Sequence, residues 1–125
     1  MTSVTPEPLR EALRPRGPVQ FGLREHRAEA GTVLTVEGEL DLLTAPKLAA
    51  RLNGLMRTGT GDVVLDLRSA LFLDSLGLSL ILNAHRRFEG RGRRLRVLCE
   101  DGPVRRVIEM ARLEETLGVV SSLTI

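Results

Sequence analysis

From Val19 onward, short runs of β-type residues alternate with longer segments whose apolar residues recur at helical spacing. That alternation restricts the chain more than any single motif does. Strands separated by helices can pair in parallel, and right-handed crossovers then lay the helices against the sheet. "VQFGLREH" and "TVLTVEGEL" read as two strands joined by a turn in "RAEAG", with Val33, Leu34 and Val36 apolar in the second. "LTAPKLAARLNGLMRTG" reads as a helix, because Leu48, Leu52, Leu55 and Met56 repeat at its period. Thr44 stands at its N-cap, Pro46 falls in the first turn and Gly59 closes it. "DVVLDL" (Asp62–Leu67) has the nearly all-apolar character of a central strand. A helix from Ser75 to near Gly90, a strand in "RLRVLC", a helix from Pro103 to about Leu113 and a short edge strand in "GVV" follow. The expected fold is α/β, in the order β-β-α-β-α-β-α-β. It is a small, mostly parallel sheet with an antiparallel N-terminal hairpin, packed by about three α-helices.

The length of 125 residues suits one domain. Residues 1–18 hold four of the six prolines and lack sustained periodicity, so they read as a flexible Pro/Arg-containing arm, with a helical turn conceivable in "LREAL". The domain is expected over residues 19–125. No apolar run reaches the roughly 18 residues of a membrane span, and the polar, proline-containing start is unlike a secretory signal. The expectation is a cytoplasmic protein with no membrane partner. Cys99 is the lone cysteine, so an internal disulfide is impossible and no zinc set is expected; it reads as a core or strand-end residue. The basic run "RRFEGRGRRLR" (Arg86–Arg96) is open to two readings, a phosphate patch or a solvated helix end and turn. Net charge is only +2, and with no Trp or Tyr and three Phe there is little for bases to stack on, so no direct nucleic-acid partner is expected.

The stretch "LFLDSLGLSLIL" (Leu71–Leu82) places a polar pair inside an apolar run. With Ser75 as N-cap the helix runs from Leu76, and Leu78, Ile81, Leu82, His85 and Phe88 form its core stripe. Leu76, Leu80, Asn83 and Arg87 fall on the opposite face, so two leucines point outward beside the serine. Gly77 is a poor helix former, which suits a close approach to the helix start by a visitor or by the sheet itself. Ser75 is open to two readings, a structural cap or a presented hydroxyl. A catalytic serine is disfavoured. "LDSLG" lacks the first glycine of a nucleophile elbow, His85 lies roughly 15 Å along the same helix, and His26 reads as a solvated turn residue. A phospho-aspartate centre at Asp66 or Asp74 lacks its acidic pair, and Lys47 lies early in a helix. No catalytic residue, cofactor or metal site is expected.

"VEGELDLLTAPKLAARL" (Val36–Leu52) followed by "VVLDLRSALFLDSLGLSLIL" (Val63–Leu82) resembles the STAS domain, specifically the small anti-sigma-factor antagonists. The resemblance spans roughly Phe21 to Val120. It rests on G-E-L-D before the first helix and D-S-x-G-L at the start of the second, in order and at the right spacing. It implies a non-enzymatic switch. The unphosphorylated protein binds an anti-sigma factor that is also a serine kinase and so frees the sigma factor; phosphorylation of Ser75 ends the binding, and a serine phosphatase resets it. Asp41 and Asp74 match family aspartates near the phosphoacceptor. The docking surface is expected to comprise Asp41, Thr44, Asp74, Leu76, Gly77 and Leu80. The sequence departs from the family at Leu76, often Ser or Thr there, and at its end, where only "SSLTI" stands in place of a further helix. Two alternatives stay open: a STAS scaffold, or a nucleotide-sensing module in a stress-signalling complex, although no GxxxxGK[ST] run is present.

Overall fold

The computed structural model of the chain describes residues 20–122, so the expected arm lies outside the described residues. The elements are β1 (Gly22–Ala28), β2 (Gly31–Leu40), α1 (Ala45–Thr58), β3 (Asp62–Leu73), α2 (Ser75–Glu89), β4 (Leu95–Leu98) and α3 (Pro103–Met110). The sheet order is β1-β2-β3-β4. β1 pairs antiparallel with β2, and the remaining pairs are parallel. The expected architecture is therefore present, with one correction. "GVV" is not a strand; Val120 makes a single parallel bridge to Leu98. Gly118, at φ 58°, turns the chain between Leu117, whose carbonyl accepts from the Val97 N–H, and the bridge at Val120.

Three further boundaries differ. His26 belongs to β1 and not to the turn, which is Glu29–Ala30. α3 stops at Met110 and not near Leu113, because Arg112 takes a left-handed φ of 57° and the Leu113 N–H turns back to the Ile108 carbonyl at 3.1 Å. β3 runs on from the expected Leu67 to Leu73, because β2 continues to pair with it as far as Leu40–Leu73. That ladder carries irregularities. Thr35 and Glu37 of β2 face Asp66 and Ser69 of β3, and Gly38 and Glu39 face Ala70 and Phe72. Each leaves an extra β3 residue and reorients the strand beyond it.

The core is the contact between the sheet and the helical layer. Leu34, Val36 and Leu40 alternate inward along β2, and Leu48, Leu52, Leu55 and Met56 supply the buried face of α1, as their spacing predicts. Cys99 is buried just beyond β4. The basic run resolves into structure. Arg93 donates through Nη1 to the Met56 carbonyl at 2.9 Å and through Nε to that of Gly61 at 2.7 Å, while its guanidinium lies 4.9 Å from the Phe88 ring centroid. It satisfies carbonyls at the α1 C-terminus that the helix cannot satisfy itself.

Asp66, 5% exposed, serves the first irregularity in β3. Its Oδ1 accepts from the Arg68 backbone N–H and Nε, each at 3.0 Å, and its Oδ2 from Arg68 Nη2 at 3.0 Å. Burial alone would raise this carboxyl. The hydrogen bonds from the Arg68 side chain and backbone, its positive charge and a bond from Thr35 outweigh burial and hold it below the usual carboxylate value. A depressed folded value means that the stabilisation is complete above the unfolded value and fades as pH falls through the folded one. Asp66→Asn is therefore expected to cost about 1–2 kcal/mol at neutral pH. In urea melts its deficit against the wild type should shrink once pH falls below 3.8.

Candidate functional site

β2 and β3 end side by side at Leu40 and Leu73, so the loops that leave them start as neighbours. The Asp74 N–H donates back to the Leu40 carbonyl at 3.3 Å. In a parallel sheet this end, where strands hand over to helices, is where loops gather side chains.

The loop after β2 is tied by its own polar groups. Asp41 Oδ1 accepts from the Leu43 N–H at 2.9 Å and the Thr44 N–H at 3.2 Å, an Asx turn. The Thr44 hydroxyl donates to the Glu39 carbonyl at 2.7 Å and accepts from the Asp41 N–H at 2.9 Å. Thr44 occupies the N-cap position of α1 as expected, yet its side chain makes no capping bond, because it is engaged backwards onto β2. Asp41 and Thr44 thus build the loop. What the loop presents is Leu42 and Leu43, 69% and 81% exposed. The sequence reading missed both. Their signal is a pair of leucines between an Asx-turn aspartate and a helix-opening proline, off the buried stripe of α1.

The start of α2 corrects the expected cap. Asp74, not Ser75, is the N-cap; it is extended, at φ −95° and ψ 176°, and its Oδ1 accepts from the Gly77 N–H at 2.7 Å. Both residue types cap well. β3 ends at Leu73, so Asp74 is the residue left in extended backbone while Ser75 already belongs to the helix. Ser75 is exposed at the first helical position, and among the described residues its hydroxyl has no hydrogen-bond partner.

The other expected contact residues divide. Leu76 is exposed at 45%, whereas Leu80 is only half-exposed, packed in part against the core where α1 lies beside it. Leu82, expected in the core stripe, is likewise half-buried. Gly77 is buried. A Cβ there would stand 2.9 Å from Leu73 Cδ1 and 3.1 Å from both Leu40 Cγ and the Leu40 carbonyl oxygen. The close approach is that of the chain's own sheet. Gly77→Val is expected to lower stability by about 1–3 kcal/mol in a denaturant titration. Gly77→Ala should cost less, since it regains about 1 kcal/mol of helix propensity.

Leu71 and Phe72 are exposed beside Ser75, a second feature missed in the sequence. Leu71 is the extra residue of the second β3 irregularity, which breaks the alternation that would turn one of the pair inward. Five of the six exposed large apolar residues described therefore sit around the ends of β2 and β3: Leu42 and Leu43 in the loop after β2, Leu71 and Phe72 in the last rungs of β3, and Leu76 in the first turn of α2. Together these five side chains make an apolar collar at the end of the sheet where Ser75 opens α2, with the half-buried Asp41 and Asp74 on the same connecting segments.

No imidazole attends the serine. His85 is buried, its Nδ1 donating to the Leu95 carbonyl at 2.9 Å. His26 faces Val33, which faces Val64, nine residues down β3 from Leu73 and so roughly 30 Å away. The geometry that would turn Ser75 into a nucleophile is absent. Among the described residues no three His, Cys, Asp or Glu side chains gather at metal-binding distance, and no helix is long and apolar enough to cross a membrane.

The family model described as "Mlab, STAS domain" matches residues 23–121. An anti-sigma-B factor antagonist of Staphylococcus aureus is 29% identical over 84 residues, which cover 67% of this chain and 78% of that protein. The crystal structure of an anti-sigma factor antagonist from Mycobacterium paratuberculosis superposes with a TM-score of 0.77 at 24% identity, covering 82% of this chain and 87% of that one. The Bacillus cell-fate determinant SpoIIAA in its phosphorylated form superposes with a TM-score of 0.62 at 21% identity, covering 82% and 92%.

Proposed function

The chain belongs to the STAS-domain family, and on that premise we propose that it is an anti-sigma-factor antagonist switched by phosphorylation of Ser75. In this reading the unphosphorylated chain docks through its apolar collar onto an anti-sigma factor that is also a serine kinase, and the sigma factor is released. The kinase transfers phosphate to the Ser75 hydroxyl and the complex parts; a serine phosphatase restores the docking form. The chain itself performs no catalysis and works in the cytoplasm without contacting nucleic acid or membrane. One observation carries the reading. Asp74 takes over the capping of α2, so the Ser75 hydroxyl is left unoccupied and exposed amid large apolar side chains. The name of the Staphylococcus relative and the phosphorylated state of the Bacillus one support it.

The collar gives the test. Leu43→Asp and Phe72→Asp each place a charge where the partner would bury an apolar group. Each is expected to weaken binding of the anti-sigma factor by about tenfold or more. The thermal melt should barely move, because both side chains lie at the surface. Leu80→Asp, in the half-buried position, is expected to lower the melt as well. Unchanged affinity in both collar variants would contradict the proposed docking face.

A further inference from the structure

A groove of about 330 Å³ runs between α1 and α2. Leu52, Leu76, Leu80 and Ala84 line it, and Asn53 and Arg87 stand at its far end. We propose that this groove seats an acidic amphipathic helix of the docking partner, with apolar side chains over Leu76 and Leu80 and a carboxylate on Arg87. The inference names the chemistry of the partner's contacting element and rests on the reading that a partner docks beside Ser75.

Charge is the first argument. α1 carries Lys47, Arg51 and Arg57 and no acidic residue, and α2 carries Arg86 and Arg87 against Glu89 alone. α1 and α2 together thus hold five cations and one anion; Arg87 is the charged side chain among those lining the groove, whereas Lys47 and Arg51 line a separate depression with Glu25 and Arg27. The layer's own ion pairs leave Arg87 out. Arg51 meets Glu25, Glu89 meets His85, and among the described residues no carboxylate pairs with Arg87. Arg87 is nevertheless positioned, because its Nη1 donates to Asn53 Oδ1 at 2.6 Å. A guanidinium aimed by a neutral amide keeps its remaining donors for an incoming carboxylate.

Shape is the second argument. Leu76 and Arg87 are eleven residues apart on α2, about 16 Å along the axis, which is three turns of a helix laid beside it. The side-chain rows of two packed helices offer such a third helix a ready groove. Continuity is the third. Leu76 belongs both to this groove and to the collar around Ser75, so an element seated here extends the same footprint.

The test uses the full, unphosphorylated chain and a synthetic 18-residue helical peptide with leucines on one stripe and glutamates beside them. In an NMR titration, saturable shifts are expected at Asn53 and along Leu76–Arg87. A peptide with lysine in place of glutamate should bind at least about tenfold more weakly. Arg87→Glu should reverse that preference, and Leu76→Asp should weaken both peptides. Equal binding of the two peptides, shifts confined to another face, absence of saturable shifts, or an Arg87→Glu variant with unchanged preference would each overturn the proposal. Binding of phosphatidylglycerol vesicles through these residues, with no peptide bound, would make the layer a membrane surface and overturn it too. Failure of Ser75 to accept phosphate would leave these titrations untouched, so the two readings fail separately.

Discussion

Phosphate on Ser75 is expected to weaken binding of the anti-sigma factor by between about a hundredfold and ten-thousandfold without unfolding the protein. Moving occupancy from nearly full to nearly empty requires about 5.5 kcal/mol. The modification adds about −1.5 to −2 charges at neutral pH. Within the free protein that charge is tolerable, since it sits at the first position of α2, where orphan N–H groups and the helix dipole favour an anion. In the complex it is not. A partner seated on Leu42, Leu43, Leu71, Phe72 and Leu76 must strip water from a dianion that directly follows the Asp74 carboxylate in the chain. Burying an uncompensated anion costs several kcal/mol, far more than the serine hydroxyl it replaces. Calorimetric titration of both forms measures the ratio, and superimposable circular dichroism would locate the effect at the surface. Ser75→Asp should reproduce only part of it, because one carboxylate carries less charge and a smaller hydration shell.

Phe88→Ala is expected to be the most damaging single truncation, at about 3–5 kcal/mol. Phe88 is 1% exposed and is among the largest fully buried side chains. The ring is also the surface on which Arg93 rests while it holds the carbonyls of Leu55, Met56 and Gly61. Removing it opens a cavity and unseats the clasp that closes α1. The midpoint of thermal unfolding should fall by on the order of 10–20 °C. Phe88→Leu refills most of the volume and should cost less than half as much. Equal losses for the two variants would show that the cavity is not the cause.

What the sequence discloses and what it withholds follow the range of the interactions concerned. The buried face of α1 is legible because Leu48, Leu52, Leu55 and Met56 encode it within a few turns. The order of strands and helices is legible for the same reason. The cap of α2 is not. Asp74 and Ser75 are equally good local candidates, and the choice is made by where β3 stops, which depends on pairing with Leu40, more than thirty residues earlier. Leu80 reads as outward from its own helix, and only the neighbouring α1 half-covers it. The collar was legible in part. Leu76 could be placed from helical phase, but Leu71 and Phe72 are turned out by a strand irregularity, and Leu42 and Leu43 by an Asx turn. Asp41 and Thr44 are legible as polar residues of the loop after β2, and their bonds turn inward to tie that loop together.

The central claim is that a single hydroxyl at the mouth of α2 governs docking. Incubation of the full chain with the anti-sigma serine kinase proposed as its partner and ATP, read by intact mass, tests that claim most directly. One added phosphate is expected on the wild type and none on Ser75→Ala, with equal melting temperatures for the two. Full labelling of Ser75→Ala, or a wild type that takes up no phosphate while bound to that kinase, would contradict the account.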